Sequence, residues 1–354
     1  GDMDFCALGA PDSELQQLRC EYLQKQISAL AARVRMLKGE KLKFDDESRG
    51  LYDAVAPTFP DSHFEQIISQ LESKIPGKGP LWQRYEEWRK PFVIPKEKLD
   101  TLFQLAIKEC RARTLAHVAL PPNESFTVEY VTNKPWGGYN WYKGNFHSVI
   151  QVNTDLPIYI DRAVDLAAHE GYPGHHVYNS LLEKNLVRDR GWMEFSVYAL
   201  FSPQSLIAEG TANFGRDVAF PTKAERMKFE REVLFPAAGI DATRADEYYA
   251  VQDIMTKQLT YAGNEAARRL INGEIDEKAA VEWLQKYEVM EPARAQQRVK
   301  FIQRYRSYVI NYNLGEDMVK SYIEKRSGTD PDKRWSEFAK LLASPRLPSG
   351  LQGN

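Results

Sequence analysis

The chain has 354 residues, 43% hydrophobic and 27% charged, with a formal net charge of −2. Those values suit a soluble globular protein of one large domain or two ordinary ones. They give no electrostatic reason to expect nucleic acid or an anionic membrane as partner. No apolar run is long enough to span a bilayer, and the N-terminus lacks a basic region followed by an apolar core. Cys6, Cys20 and Cys110 are odd in number and widely spaced, so they read as free thiols in a reducing compartment. The expected location is therefore cytoplasmic.

The first third is helical in pattern. Residues 13–38 form an amphipathic helix: Ser13 and Gln16 have capping-box spacing, Ile27, Leu30, Val34 and Leu37 make one stripe, and Gly39 stops it. Shorter helices are expected at 51–56, 61–75 and 81–89, and a longer one at 95–117. Trp82, Tyr85 and Trp88 read as core. Residues 1–120 are thus expected as an N-terminal helical layer. After Pro121-Pro122-Asn123 the period changes to two at 126–131, with further strands at 139–142 and 146–153. The expectation is a small antiparallel sheet, either a structural hairpin or an edge onto which an extended peptide adds.

Helices follow at 158–172, 175–186, 203–220, 222–234, 244–271, 276–287, 292–313, 316–325 and 334–343. Residues 121–345 form the expected catalytic region, compact with the first layer. The tail at 346–354 is expected to fray. The fold class expected is mostly α, with the small sheet beside a central helix.

That helix carries His169-Glu170-Gly171-Tyr172-Pro173-Gly174-His175-His176, half of the chain's six histidines in eight residues. Imidazoles beside a carboxylate are what a zinc hydrolase needs: nitrogen ligands and a base. In H-E-x-x-H the histidines are four apart and share a face. Here His175 is six residues on, roughly 600° of rotation and about 9 Å of rise, and His176 seven on, about 10 Å along the axis. Neither can share an ion with His169 on a straight helix. Pro173-Gly174 interrupts the helix between them. A two-residue bulge there would place His175 where the second histidine of H-E-x-x-H stands; His176 is the alternative.

The stretch resembles the bacterial family known as domain of unknown function 885, whose H-E-x-x-P-G-H-H pattern it matches at all six fixed positions. The resemblance runs from about residue 120 to about 325. It implies a zincin-like metallopeptidase, distantly similar to thermostable carboxypeptidases. Dipeptidyl peptidase III, with H-E-x-x-G-H, offers a parallel in which an inserted residue still leaves both histidines on zinc. Zinc is the expected cofactor, one divalent ion held by His169, His175 and a third ligand. Glu209 is assigned that role. Glu209-Gly210 matches the family's later Glu-Gly-Trp-Ala element, though Thr211 stands where tryptophan is usual, and Gly210 would permit close helix approach.

Glu170 is the expected general base toward a metal-activated water, and the substrate a peptide. Asp165, one turn before His169, is the expected partner of its second N–H, and His176 would support the ligands. Tyr261, within a Tyr-x-Gly element resembling the family's, is a candidate oxyanion donor. Arg304, Tyr308 and Tyr312 fall at four-residue spacing in a stretch where the resemblance continues, and Arg304 with Tyr308 is expected to clamp a substrate carboxylate. That implies a carboxypeptidase- or dipeptidase-like enzyme. His63, His117 and His147 read as incidental. The alternatives are a helical binding protein that keeps the motif, or a metal amidase on a non-peptide substrate.

Overall fold

The computed structural model describes Cys6 and residues 13–352. The N-terminal layer contains α1 (Glu14–Leu37), α2 (Phe44–Tyr52), α3 (Asp61–Lys74), α4 (Leu81–Arg89) and α5 (Leu99–Leu115). Strands β1 (Ser125–Val131), β2 (Gly138–Gly144) and β3 (His147–Asn153) follow. Next is α6 (Asp161–Leu166), which widens into a π-helical turn at Ala167–Gly171. It is followed by α7 (His175–Leu182), α8 (Pro203–Ala219), α9 (Lys223–Phe229) and α10 (Phe235–Ala238). The remainder is α11 (Ala245–Lys257), α12 (Thr260–Ile271), α13 (Glu277–Tyr287), α14 (Pro292–Tyr305), α15 (Ile310–Ser327) and α16 (Pro331–Leu342). The fold is mostly α with one small sheet, and buried residues of the N-terminal layer and of the later helices share a common core.

The sheet departs from the antiparallel expectation. Its order is β1-β3-β2, with β1 parallel to β3 and only β2 antiparallel. The Lys134–Gly138 stretch is therefore a crossover and not a β1–β2 hairpin. The Asn153 amide holds it by donating to the Lys134 and Trp136 carbonyls (3.0 and 2.9 Å). Strand β2 is left as an edge. On β3, Ser148, Ile150 and Val152 are buried, the period-two alternation of a strand with one covered face.

The α1 stripe read from sequence faces outward: Ile27 is 48% exposed and Leu37 71%. The buried face is Leu18, Tyr22, Gln26, Ala29 and Ala32, where small and polar residues pack. The helix expected over 244–271 breaks at Gln258–Leu259. The helix begun at Pro292 ends at Tyr305, where Arg306 takes φ +54°. Gly315 lies inside α15. Cys6 and Cys20 form a disulfide, correcting the free-thiol reading, and Cys110 is a buried thiol. The tail is packed as far as it is described, with Leu347 and Leu351 3% and 5% exposed, and only Gly353 and Asn354 fall outside the described residues. Among the described residues no helix is long and apolar enough to cross a membrane.

Candidate metal centre

The motif helix reaches His169 and Glu170 in its π turn, where the ladder widens to accommodate extra residues. The chain then passes Pro173 and Gly174 and restarts as α7 with His175 as its first residue. Gly174 is required here: a Cβ on it would fall 1.9 Å from the His169 carbonyl oxygen. Its N–H donates to the Ala168 carbonyl at 2.9 Å. Pro173 rests against α8 at Gly215, where a Cβ would be 3.1 Å from its ring. The result brings the His169 and His175 rings to 4.6 Å between centroids, nearly perpendicular.

Glu209 enters from α8. Its Oε2 lies 3.1 Å from His169 Nε2 and 3.5 Å from His175 Nε2. The three ligand atoms all fall within 4.8 Å of one another. Two ligands on one tetrahedral zinc, at bonds of roughly 2.0–2.2 Å, stand about 3.3–3.5 Å apart. The carboxylate–imidazole spacings of 3.1 and 3.5 Å lie close to that range. Glu209 Oε2 is buried and makes no hydrogen bond, whereas Oε1 accepts from the Tyr308 hydroxyl at 2.7 Å. A buried carboxylate oxygen held against two imidazoles and left without a donor fits a divalent cation.

The second nitrogen of His169 fixes the tautomer. Asn213 Nδ2 donates to the Tyr312 carbonyl at 2.9 Å, so its Oδ1 is the acceptor facing His169 Nδ1 at 2.7 Å. His169 therefore carries its proton on Nδ1 and presents the Nε2 lone pair to the centre. Asp165 does not take this role, because Arg216 (2.9 Å) and Arg162 (3.3 Å) hold it. Asn213 sits one turn after Glu209 on α8, and that Glu-x-x-x-Asn spacing was the available signal. Without an ion, burial would lower the His169 pKa, but the Glu170 and Glu209 charges outweigh it and push it up to about 9. Burial likewise disfavours the Glu209 carboxylate, yet the two imidazoles hold it well below the usual range.

Glu170 is 4% exposed, and its Oε2 has no hydrogen-bond partner. Burial pushes its pKa up, and Glu209 adds to the rise against the two imidazoles. Its backbone carbonyl accepts from Asn140 Nδ2 on β2 at 2.8 Å. Space for the carboxylate comes from Gly138, whose Cβ would stand 3.0 Å from Oε1.

His176 is excluded as a ligand because both its nitrogens are occupied. Nδ1 meets Ser148 Oγ at 2.7 Å and Nε2 meets Glu124 Oε2 at 2.8 Å, all buried. Glu124 also accepts from Tyr172 and from Arg111 Nη2 (2.7 Å). Nothing in the sequence around Pro121-Pro122-Asn123 marked Glu124 as this anchor. Burial would raise its pKa, but His176, Tyr172 and Arg111 hold it at about 2. A depressed carboxyl contributes stability that is full above its unfolded value of 4.5 and is lost as pH falls toward 2. Glu124→Gln should therefore flatten the decline of the urea midpoint between about pH 5 and pH 2.5. Curves parallel to those of the parent would contradict this role.

The other candidates separate. Tyr308 is spent on Glu209, and Tyr261 donates to Asp317 at 2.6 Å. Arg304 is exposed and lies outside the cleft, with its guanidinium 5.7 Å from the Tyr305 ring. The turn at Arg306 breaks the face it was expected to share with Tyr308 and Tyr312. Tyr312 lines the cleft, its ring 6.4 Å from that of His169 and its hydroxyl unbonded among the described residues. Burial and the Glu209 charge keep that phenol protonated, so it remains a donor. His63, His117 and His147 lie outside the cleft.

All of this opens on a cleft of about 1190 Å³, lined by β2, the motif helix, α8, α14 and α15. No family model matches the chain, and no curated protein matches it significantly. Among solved structures it is similar to a Colwellia psychrerythraea protein described as a "putative lipoprotein", with TM-score 0.64 and 14% identity. The match covers 87% of this chain and 53% of that one, so the chain spans about half that protein's length. At this identity the likeness shows the fold alone.

Proposed function

We propose that the chain is a zinc-dependent metallopeptidase, a zincin-like hydrolase of peptide bonds with His169, His175 and Glu209 as ligands and Glu170 as general base. The observation that carries this reading is the convergence of three ligand atoms within 4.8 Å, with an adjacent unpaired carboxylate in a large cleft. The resemblance of the His169–His176 stretch to the domain of unknown function 885 family is part of the same proposal.

A bound zinc would polarise the scissile carbonyl and make water acidic enough to ionise near neutral pH. Glu170 accepts the proton of the attacking water on its free oxygen and passes it to the leaving amine. Asn140 and Gly138 keep that carboxylate in place and unobstructed. Tyr312 offers its hydroxyl to the developing oxyanion, a task expected from the sequence of Tyr261. Strand β2, an edge beside Glu170, offers backbone groups to an extended peptide. The Cys6–Cys20 disulfide favours an oxidising compartment over the cytoplasmic location expected from the sequence.

The protein should bind about one zinc per chain and lose peptide hydrolysis to a chelator, regaining it on reloading. Zinc at a thousandfold excess over its Kd should add about 4 kcal/mol of stability. Failure to hold stoichiometric divalent metal under any loading condition would remove the proposal. Stoichiometric zinc with no cleavage across a peptide library would favour a binding protein, and cleavage of non-peptide amides alone an amidase.

A further inference from the structure

The cleft contains a cationic feature that the metal centre does not use. On α14, Arg294, Arg298, Phe301 and Tyr305 recur at three- and four-residue spacing, and this face lines the cleft. Among the described residues Arg298 makes no hydrogen bond and no ion pair. Its Nε is buried without a partner, and its guanidinium rests 5.0 Å from the Phe301 ring. Arg294 reaches only the Pro157 carbonyl at 3.4 Å, and its Nε is likewise buried and unpartnered. Elsewhere in the cleft guanidinium groups are neutralised: Arg216 has Asp165 and Asp217 at 2.9 and 3.0 Å, and Arg162 has Asp165. Glu288 is near enough to feel the Arg298 charge but forms no ion pair with it, and burial pushes its carboxyl up to about 7.

A buried guanidinium Nε left without an acceptor is costly, and the planar fork of its half-buried group suits a carboxylate. Its place relative to the metal centre follows from a chain of rings. His169 to Tyr312 is 6.4 Å, Tyr312 to Phe301 is 6.2 Å, and Arg298 stands over Phe301. An extended peptide advances about 3.3–3.6 Å per residue, so one or a few residues bridge the ligand set and this guanidinium.

We propose that Arg298, supported by Arg294, is the anchor for the free α-carboxylate of a peptide substrate, so that the enzyme trims chains from the C-terminus. This rests on the metallopeptidase reading for where the scissile bond lies. It moves the clamp that the sequence placed on Arg304 to Arg298, earlier on the same helix and inside the cleft.

The test measures binding by calorimetry to zinc-loaded Glu170→Gln protein, with three probes: Ala-Ala-Phe as the free acid, its C-terminal amide, and Ala-Ala-Glu amide. The free acid should bind about 100-fold more tightly than its amide, the scale of a desolvated charge pair. Arg298→Gln in the same background should reduce that ratio to about threefold, Arg298→Lys should keep part of it, and Arg294→Gln should lower it about tenfold. Zinc stoichiometry checks that each variant is folded; if Arg298→Gln fails that check, the Lys and Arg294 variants decide. Equal binding of acid and amide overturns the proposal, as does discrimination that survives in every folded variant. Preference for the Glu amide alone also overturns it, by locating the recognised carboxylate on a side chain. Turnover by the parent enzyme is scored separately. Intact discrimination without cleavage would sink the peptidase reading and leave the carboxylate site standing.

Discussion

Replacing Glu170 with glutamine is expected to lower kcat by about 10²–10⁴-fold, the range of a general base, while zinc stays at one equivalent per chain. The two outcomes separate because Glu170 is beside the ligand set and not in it: its Oε1 is 3.9 Å from His169 Nε2, and its Oε2 touches no donor. The amide keeps the volume that Gly138 was left bare to accommodate and leaves the Asn140 bond to the backbone carbonyl untouched. It loses only the basic lone pair. Steady-state kinetics on a cleavable peptide, with metal analysis of the same sample, checks both halves. An unchanged kcat would remove Glu170 from the chemistry. Loss of zinc would mean that it is a ligand, contrary to its distance.

The site was legible in proportion to how local its geometry is. Pro173-Gly174 between two histidines announced an interrupted helix, because those residues alter the backbone wherever they occur. Glu209-Gly210 was picked out by resemblance, and the close approach allowed by Gly210 is a backbone matter too. Asn213 was readable in principle from its one-turn spacing to Glu209. Glu124 was not, because its importance lies in meeting His176 across the fold, 52 residues away in sequence.

Other readings went astray where tertiary packing overrode local pattern. Hydrophobicity chose Ile27, Leu30, Val34 and Leu37 as the inner face of α1, whereas alanines let the helix approach its neighbours and Gln26 is buried beside Tyr22, within 3.4 Å of its hydroxyl. Four-residue spacing put Arg304 with Tyr308 because neither proline nor glycine warns of the break at Arg306. Glu47 helps hold that turn, accepting from Arg306 Nε at 2.8 Å and from the Ser307 backbone at 3.2 Å. The strands at 126–131 and 146–153 were seen, but alternation alone carries no information on partner or direction.

Gly210→Ala should be the most damaging small substitution outside the ligand set. An added Cβ would fall 2.3 Å from the Gly315 carbonyl oxygen and 2.4 Å from its carbonyl carbon. Both are backbone atoms in the interior of α15, so no side chain can turn aside. The crossing is tight from the other side too, since a Cβ on Gly315 would lie 2.8 Å from the Leu206 carbonyl oxygen and 3.2 Å from Gly210 Cα. To admit one methyl group α8 and α15 must separate, and overpacking on that scale costs about 3 kcal/mol, the upper end of the usual range. The loss is not confined to stability. Glu209 is the residue before Gly210, and Tyr308, whose hydroxyl orients Glu209, stands in the turn that leads into α15. Parting the helices withdraws the carboxylate from two imidazoles fixed on the motif helix. Zinc affinity should therefore fall at least about tenfold, comparable to losing a supporting hydrogen bond at a metal site, and the zinc-induced rise in Tm should shrink with it. Gly50→Ala is the control: its Cβ would meet only Ala32 Cβ, at 3.8 Å, within α2, so it should be neutral or slightly stabilising. Titrating zinc against both variants by calorimetry distinguishes the cases. A Gly210→Ala protein with parental Tm and zinc affinity would show that the crossing does not set where Glu209 stands.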